Sequence, residues 1–230
     1  MRAGEVMGEA WDAYRKHFGH LVPIAFVVYL LISLLTLVLV VLLGPLGLFV
    51  GGIIGVAGIF WLQGALVLAI EDIRDGRADL SLQEILSRVR PRLNTLTLAG
   101  LLAVLGVGVG FVLLVVPGLV LWTWWLVIVP VIMLERAGVL AAFGRSRRLV
   151  RGHGWSVFGV LVLTIVVLVA VNLVFSGLAR GLDSVLGAIA LDIASRTLTA
   201  PFVALAWTMT YYRLRASEAA GSEPAPEFGS

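Results

Sequence analysis

The sequence contains no cysteine and a single lysine, and only 13% of its 230 residues are charged. The first absence excludes disulfides, thiolate zinc sites and thiol nucleophiles. The scarcity of charge excludes a water-facing shell around a core of this size, since soluble domains carry about 25% charged residues. Hydrophobic residues make up 60% of the chain, against about 45–50% for soluble domains. The chain also lacks an HExxH, a GxSxG and a phosphate-binding glycine loop, so none of those hydrolytic or nucleotide-dependent chemistries has a starting point. Gly106-x-Gly108-x-Gly110 lies inside an apolar run and does not read as a nucleotide loop. Asp75-Gly76-Arg77-Ala78-Asp79 begins like the motif of lipid-making alcohol phosphotransferases. The downstream aspartates that would complete a two-metal site are missing. No catalytic residue, cofactor or metal is therefore expected; His17, His20 and His153 read as boundary side chains.

What remains is a set of long apolar runs, the mark of membrane spans. Six are expected, at about 21–43, 46–70, 96–116, 119–134, 155–178 and 193–212. Gly44-Pro45 and Pro117-Gly118 read as the tight turns of two hairpins, and Pro130 is expected to kink the fourth span. A longer connection is expected over 179–192, either irregular or holding a short interfacial helix of its own. Gly47, Gly51 and Gly55 recur every four residues and are expected to clear one face of the second span for close helix packing. Gln63 and Asn172 are lone polar groups in spans, expected to form interhelical hydrogen bonds.

Three amphipathic segments lie between the spans. Val6, Met7, Ala10, Trp11, Tyr14 and Phe18 share one face at 100° per residue, opposite Glu5, Glu9, Asp12, Arg15 and Lys16. Ser81 with Glu84 forms a capping-box pattern that opens a second helix, which Pro91 ends or kinks. A third helix covers about Val139–Arg151. These segments are expected to lie in the membrane interface. The fold expected is an all-α integral membrane protein in which surface helix, span, turn and span occur three times. It forms one membrane domain over 1–215, followed by a disordered tail at 216–230 whose last four residues read as a cloning remnant.

Fifteen of the seventeen Lys and Arg residues fall in segments on one side of this layout. That asymmetry places both termini in the cytoplasm. The charges through residues 1–20 argue against a removable signal peptide, and the Arg-, Ala- and Gly-rich composition points to a bacterial inner membrane. Arg145, Arg147, Arg148 and Arg151, with Arg88, Arg90 and Arg92, are the expected contacts to anionic lipid headgroups. Glu135 ends a span where the free carbonyls of a helix C-terminus disfavour a carboxylate; it is expected to pair with Arg145 or Arg148. Asp192 and Arg196, four apart, are expected to neutralise each other as a structural pair.

The segments PGLVLWTWWLVIVPVIMLE, AAFGRSRRLVRGHGWSVFG and TMTYYRLR resemble a six-span membrane-domain family found fused to some glycerophosphoryl diester phosphodiesterases. The resemblance covers about residues 5–215. In fused members catalysis resides in a separate soluble barrel, which these 230 residues do not contain, so the resemblance implies architecture without activity. Three roles remain open. The first is a non-enzymatic scaffold that engages anionic lipid or a protein partner, including a second copy, at the cytoplasmic face. The others are a transporter or lipid-translocating protein, and a membrane subunit of a lipid-metabolism enzyme. No nucleic-acid partner is expected. A continuous polar cavity reaching mid-membrane would favour the transporter, and a solid apolar core the scaffold.

Overall fold

The computed structural model describes residues 2–76, 80–182 and 184–222, and within them it is helical with no strand. The helices are α1 (Ala3–Lys16), α2 (Phe18–Leu43), α3 (Pro45–Arg74), α4 (Leu82–Val89), α5 (Leu93–Leu113), α6 (Val115–Trp124), α7 (Ile128–Leu134), α8 (Val139–Val150), α9 (Gly154–Arg180) and α10 (Val185–Ser222). Six segments are long and apolar enough to cross a membrane: α2, α3, α4 through α5, α6 through α7, α9 and α10. Their outward faces carry residues such as Val112 and Trp155, each 87% exposed. Lipid tolerates such a surface; in water it would drive aggregation. The chain is an all-α membrane protein.

The first hairpin turns at Gly44, whose φ of 57° and ψ of −129° suit glycine alone. Pro45 then occupies the first position of α3, where its missing N–H costs no hydrogen bond. A Cβ on Gly47 would stand 2.0 Å from the Leu39 carbonyl oxygen, and one on Gly51 would stand 2.9 Å from Thr36 Cγ2. Backbone therefore meets backbone between α2 and α3. Gly55 departs from the expected stripe and faces open space, while Gly58 takes its place against Ile32. Helical geometry explains the exchange. Eight residues carry Gly55 about 80° around from Gly47, whereas eleven carry Gly58 only about 20°.

Ser81 caps α4: its backbone N–H donates to Glu84 Oε2 at 2.8 Å, and the Glu84 N–H donates to Ser81 Oγ at 3.3 Å. Pro91 ends α4, but a 3-10 turn over Arg90–Arg92 leads straight into α5. Surface helix and span thus form one bent rod.

The second hairpin does not turn at Pro117-Gly118. It turns at Leu114, an extended residue with φ −164° and ψ 150°. Pro117 falls instead in the first turn of α6, where no intrahelical donor is required. The shift seats Gly118 against Gly110, where a Cβ would come within 2.9 Å of the Gly118 Cα. The fourth span is broken, not kinked: α6 ends at Trp124 and α7 begins at Ile128. Pro130 cannot donate to the Leu126 carbonyl and its ring crowds that oxygen. The ladder therefore fails upstream of the proline, which falls in the first turn of α7.

The last span differs most from expectation. The connection expected over 179–192 contracts to 181–184, because α9 runs to Arg180 and α10 starts at Val185. Ser184 Oγ accepts the Gly187 N–H at 3.2 Å and caps the new helix. At its other end α10 continues to Ser222, through the first residues of the expected disordered tail; residues 223–230 lie outside the described residues.

Around the bundle the neighbours run α9, α10, α2, α3, α5 and α6, and the ring closes between α6 and α9, its thinnest junction. The short helices pack onto this ring. Tyr14 Oη donates to the Leu198 carbonyl at 2.9 Å, and Arg213 pairs with Glu5 and Glu9. Hence α1 runs antiparallel along α10 and buries Val6, Ala10 and Tyr14, the middle of the face expected to meet headgroups.

Candidate functional site

At the arginine-rich end, α7 stops at Leu134 and Glu135 becomes the hub of a charged cluster. Glu135 Oε2 accepts Arg145 Nε at 2.8 Å, and Oε1 accepts Tyr211 Oη at 3.1 Å. Both terminal nitrogens of Arg145 then donate to Glu218 at 2.6 Å. These hydrogen bonds, Glu218 first and Glu135 second, hold the Arg145 pKa above its ordinary value. Three elements, the end of α7, α8 and the end of α10, are thereby fixed together. Arg145 is consumed by two carboxylates and is not free for the lipid contact expected of it. Arg148, the other expected partner of Glu135, makes no ion pair among the described residues; it is exposed, as are Arg147 and Arg151. Arg147 lies over the Trp124 ring with its guanidinium carbon 4.3 Å from the centroid. Arg88 and Arg90 are exposed, while Arg92 donates to the Arg136 carbonyl at 3.3 Å.

Beside this cluster lies a polar cavity of about 460 Å³ with Glu71, Asp72, Asp75, Glu84 and Arg88 in its wall. Two of its four carboxylates have structural duties: Asp72 accepts the Leu80 N–H at 3.0 Å, and Glu84 belongs to the α4 cap. Asp75 and Gly76 of the phosphotransferase-like motif are described here, while residues 77–79 lie outside the described residues. Among the described residues no group of three histidine or carboxylate side chains is placed to hold a metal ion.

The second feature lies among the six spanning segments. A cavity of about 490 Å³ takes its wall from all six spanning segments, from Tyr29 and Phe60 through Val107 and Trp125 to Leu161 and Trp207. The wall is largely apolar and aromatic, with a few polar groups. Gln63 projects into it from α3 at 8% exposure, and its amide has no hydrogen-bond partner among the described residues. Trp207 Nε1 is likewise buried without a partner. Thr164 and Thr199 donate to their own helices, to the Val160 and Ser195 carbonyls at 2.8 and 2.9 Å. Their oxygens keep lone pairs available to a ligand.

A smaller cavity of about 410 Å³, holding Asn172, Ser195 and Arg196, shares Tyr29, Leu168 and Thr199 with the first. The two spaces adjoin. Arg196 Nε is 2.8 Å from Asp192 Oδ2. Because α10 begins at Val185, this pair stands two to three turns inside the helix, about 10–17 Å from its start. The pair expected at the start of the last span thus stands inside α10, with both side chains about half exposed, at 53% for Arg196 and 46% for Asp192. The pair cancels its own charge and presents a polar, neutral end to the chamber. Gln63 and Asn172 form none of the expected interhelical hydrogen bonds among the described residues; each faces a cavity instead. No protein family, curated protein or solved structure matches this chain.

Proposed function

We propose that this chain is a non-enzymatic, six-span membrane protein that admits an amphiphile of the bilayer into its internal chamber and passes it between leaflets. The pair of adjoining cavities carries this reading: among the described residues the core is neither solid nor crossed by a continuous polar cavity, and an apolar chamber with a polar end suits an amphiphile instead of a polar solute. A small-molecule site is concave and mostly apolar, with a few polar groups that fix orientation. Here the aromatic chamber suits a hydrocarbon tail, and the end formed by Tyr29, Asn172, Ser195, Arg196 and Thr199 suits a polar head. Ionisable groups inside a span are costly, and their usual justification is a substrate path. The arginine distribution supports a bacterial inner-membrane location with both termini cytoplasmic, and the phosphodiesterase-associated family that the sequence resembles would supply a lipid setting.

The test is transfer in proteoliposomes that carry a headgroup-labelled phospholipid, read by reduction of the outer label. Protein-dependent loss beyond half of the label is expected, and Val107→Trp, which fills the chamber, should abolish it. Kinetics equal to those of empty liposomes would refute the proposal. A second reading, a scaffold on anionic lipid or a partner protein, is favoured by one observation. Arg147, Arg148 and Arg151 of the α8 end are exposed, with no carboxylate paired to them among the described residues.

A further inference from the structure

The seam between α6 and α9 has two sides. Its inner side is the chamber, where Trp122 and Trp125 face Leu161 and Ile165. Its outer side is a groove of about 560 Å³, with Val120, Thr123 and Trp124 on one wall and His153, Trp155 and Phe158 on the other. The seam is the most thinly packed junction of the ring, and the α-helix on one side of it stops at Trp124. Charge gathers at the end of the groove where α8 leads into α9. Arg147 stacks on Trp124, Arg151 is exposed two residues before His153, and neither has a carboxylate partner among the described residues. An apolar trough with a cationic, aromatic-flanked mouth at the membrane boundary is complementary to one acyl chain beneath one phosphate.

We infer that this groove docks a single anionic phospholipid from the arginine-rich leaflet and is the lateral entrance to the chamber. The acyl chain lies along Val120 and Phe158, and the phosphate lies between Arg147, Arg151 and His153. The docking stands on the groove alone, whereas its use as an entrance rests on the function proposed above.

Native mass spectrometry of the whole protein, exchanged into equal phosphatidylglycerol and phosphatidylcholine, tests it. One retained phosphatidylglycerol is expected in preference to phosphatidylcholine. The Arg147→Gln/Arg151→Gln variant should lower that preference by about tenfold, the effect of two screened surface charges. Val120→Trp, which fills the groove, should remove the bound lipid and slow leaflet transfer. Equal retention of both lipids by the unmodified protein would overturn the docking, as would retention unchanged in both variants. Loss of the bound lipid in the chamber variant Val107→Trp would place it in the chamber and overturn the groove. Normal transfer by Val120→Trp after its bound lipid is lost would overturn the entrance. If no variant or unmodified protein transfers lipid while the preference persists, the proposed function fails and the docking stands.

Discussion

Glu135 and Arg145 meet at 2.8 Å where a span gives way to the arginine-bearing helix, each side chain only about one-fifth exposed, at 20% and 21%. The pair places a cation where the carbonyls of the α7 terminus would otherwise face a lone carboxylate. A double-mutant cycle of Glu135→Gln with Arg145→Gln, read by thermal stability in detergent, should give a coupling of about 1–2 kcal/mol. That lies between an exposed pair and a buried one. Glu135→Gln with Arg148→Gln should be additive.

The glycine contacts of the first hairpin predict opposite signs for neighbouring substitutions. Gly47→Ala would force a methyl group into the Leu39 carbonyl and should lower the melting temperature of the purified protein. Gly55→Ala meets nothing within 4 Å. It should leave stability unchanged or raise it, by up to about 1 kcal/mol through helix propensity. A loss at Gly55 comparable to that at Gly47 would contradict the packing.

Topology can be tested without removing a native thiol, because the sequence has none. Single cysteines at Ser81, Gly138 and Ser184 occupy exposed positions at the two ends of the spans. Ser146 is unsuitable, being fully buried with its hydroxyl on the Trp124 carbonyl at 2.7 Å. An impermeant reagent on intact cells should label Ser184→Cys and spare the other two. Labelling of Ser81→Cys or Gly138→Cys would reverse the orientation.

The exposed arginines Arg147, Arg148 and Arg151 are expected to act on anionic lipid through charge. Arg147→Ala/Arg148→Ala/Arg151→Ala should weaken association with phosphatidylglycerol over phosphatidylcholine nanodiscs. The difference should shrink with added salt, since screening acts within about 8 Å at physiological ionic strength. Arg145 is left intact in this variant because its loss would break the Glu135 cluster. A preference untouched by the triple change would remove the scaffold reading.

Much of the architecture is legible in the sequence because apolar run length is a strong signal and five of the six expected runs are about as long as a bilayer requires or longer; the fourth, 119–134, falls short because its true start at Val115 lies before Pro117. The Glu135 cluster was foreshadowed by the same logic, since a carboxylate at a helix C-terminus needs a cation; its second carboxylate, Glu218, was hidden in a tail read as disordered. Breaks were harder to place. Pro117 and Pro130 each act a few residues from where they stand, one tolerated within a first turn and the other breaking the ladder before it. Hydropathy also could not show that α10 begins two turns before Asp192, a start set by the single Ser184 cap. The chamber was the least visible feature. Its signal is a stripe on α10, Ser195, Arg196, Thr199 and Trp207, which lines the two cavities together with Thr164 and Asn172 on α9. Read one residue at a time, each looks like a private hydrogen bond, and only the packing of six spans shows that they surround a shared space.

The most direct test of the chamber is photolabelling of the unmodified protein in a bilayer that contains a phospholipid with a diazirine on its acyl chain, with adducts mapped by peptide mass spectrometry. Outward residues such as Val112 and Leu42 should be labelled in any case, being 87% and 72% exposed. The account predicts additional adducts on Gln63 and Trp207, which face the chamber, and none on Leu66, one turn from Gln63 and fully buried. Labels confined to the outward residues would contradict it.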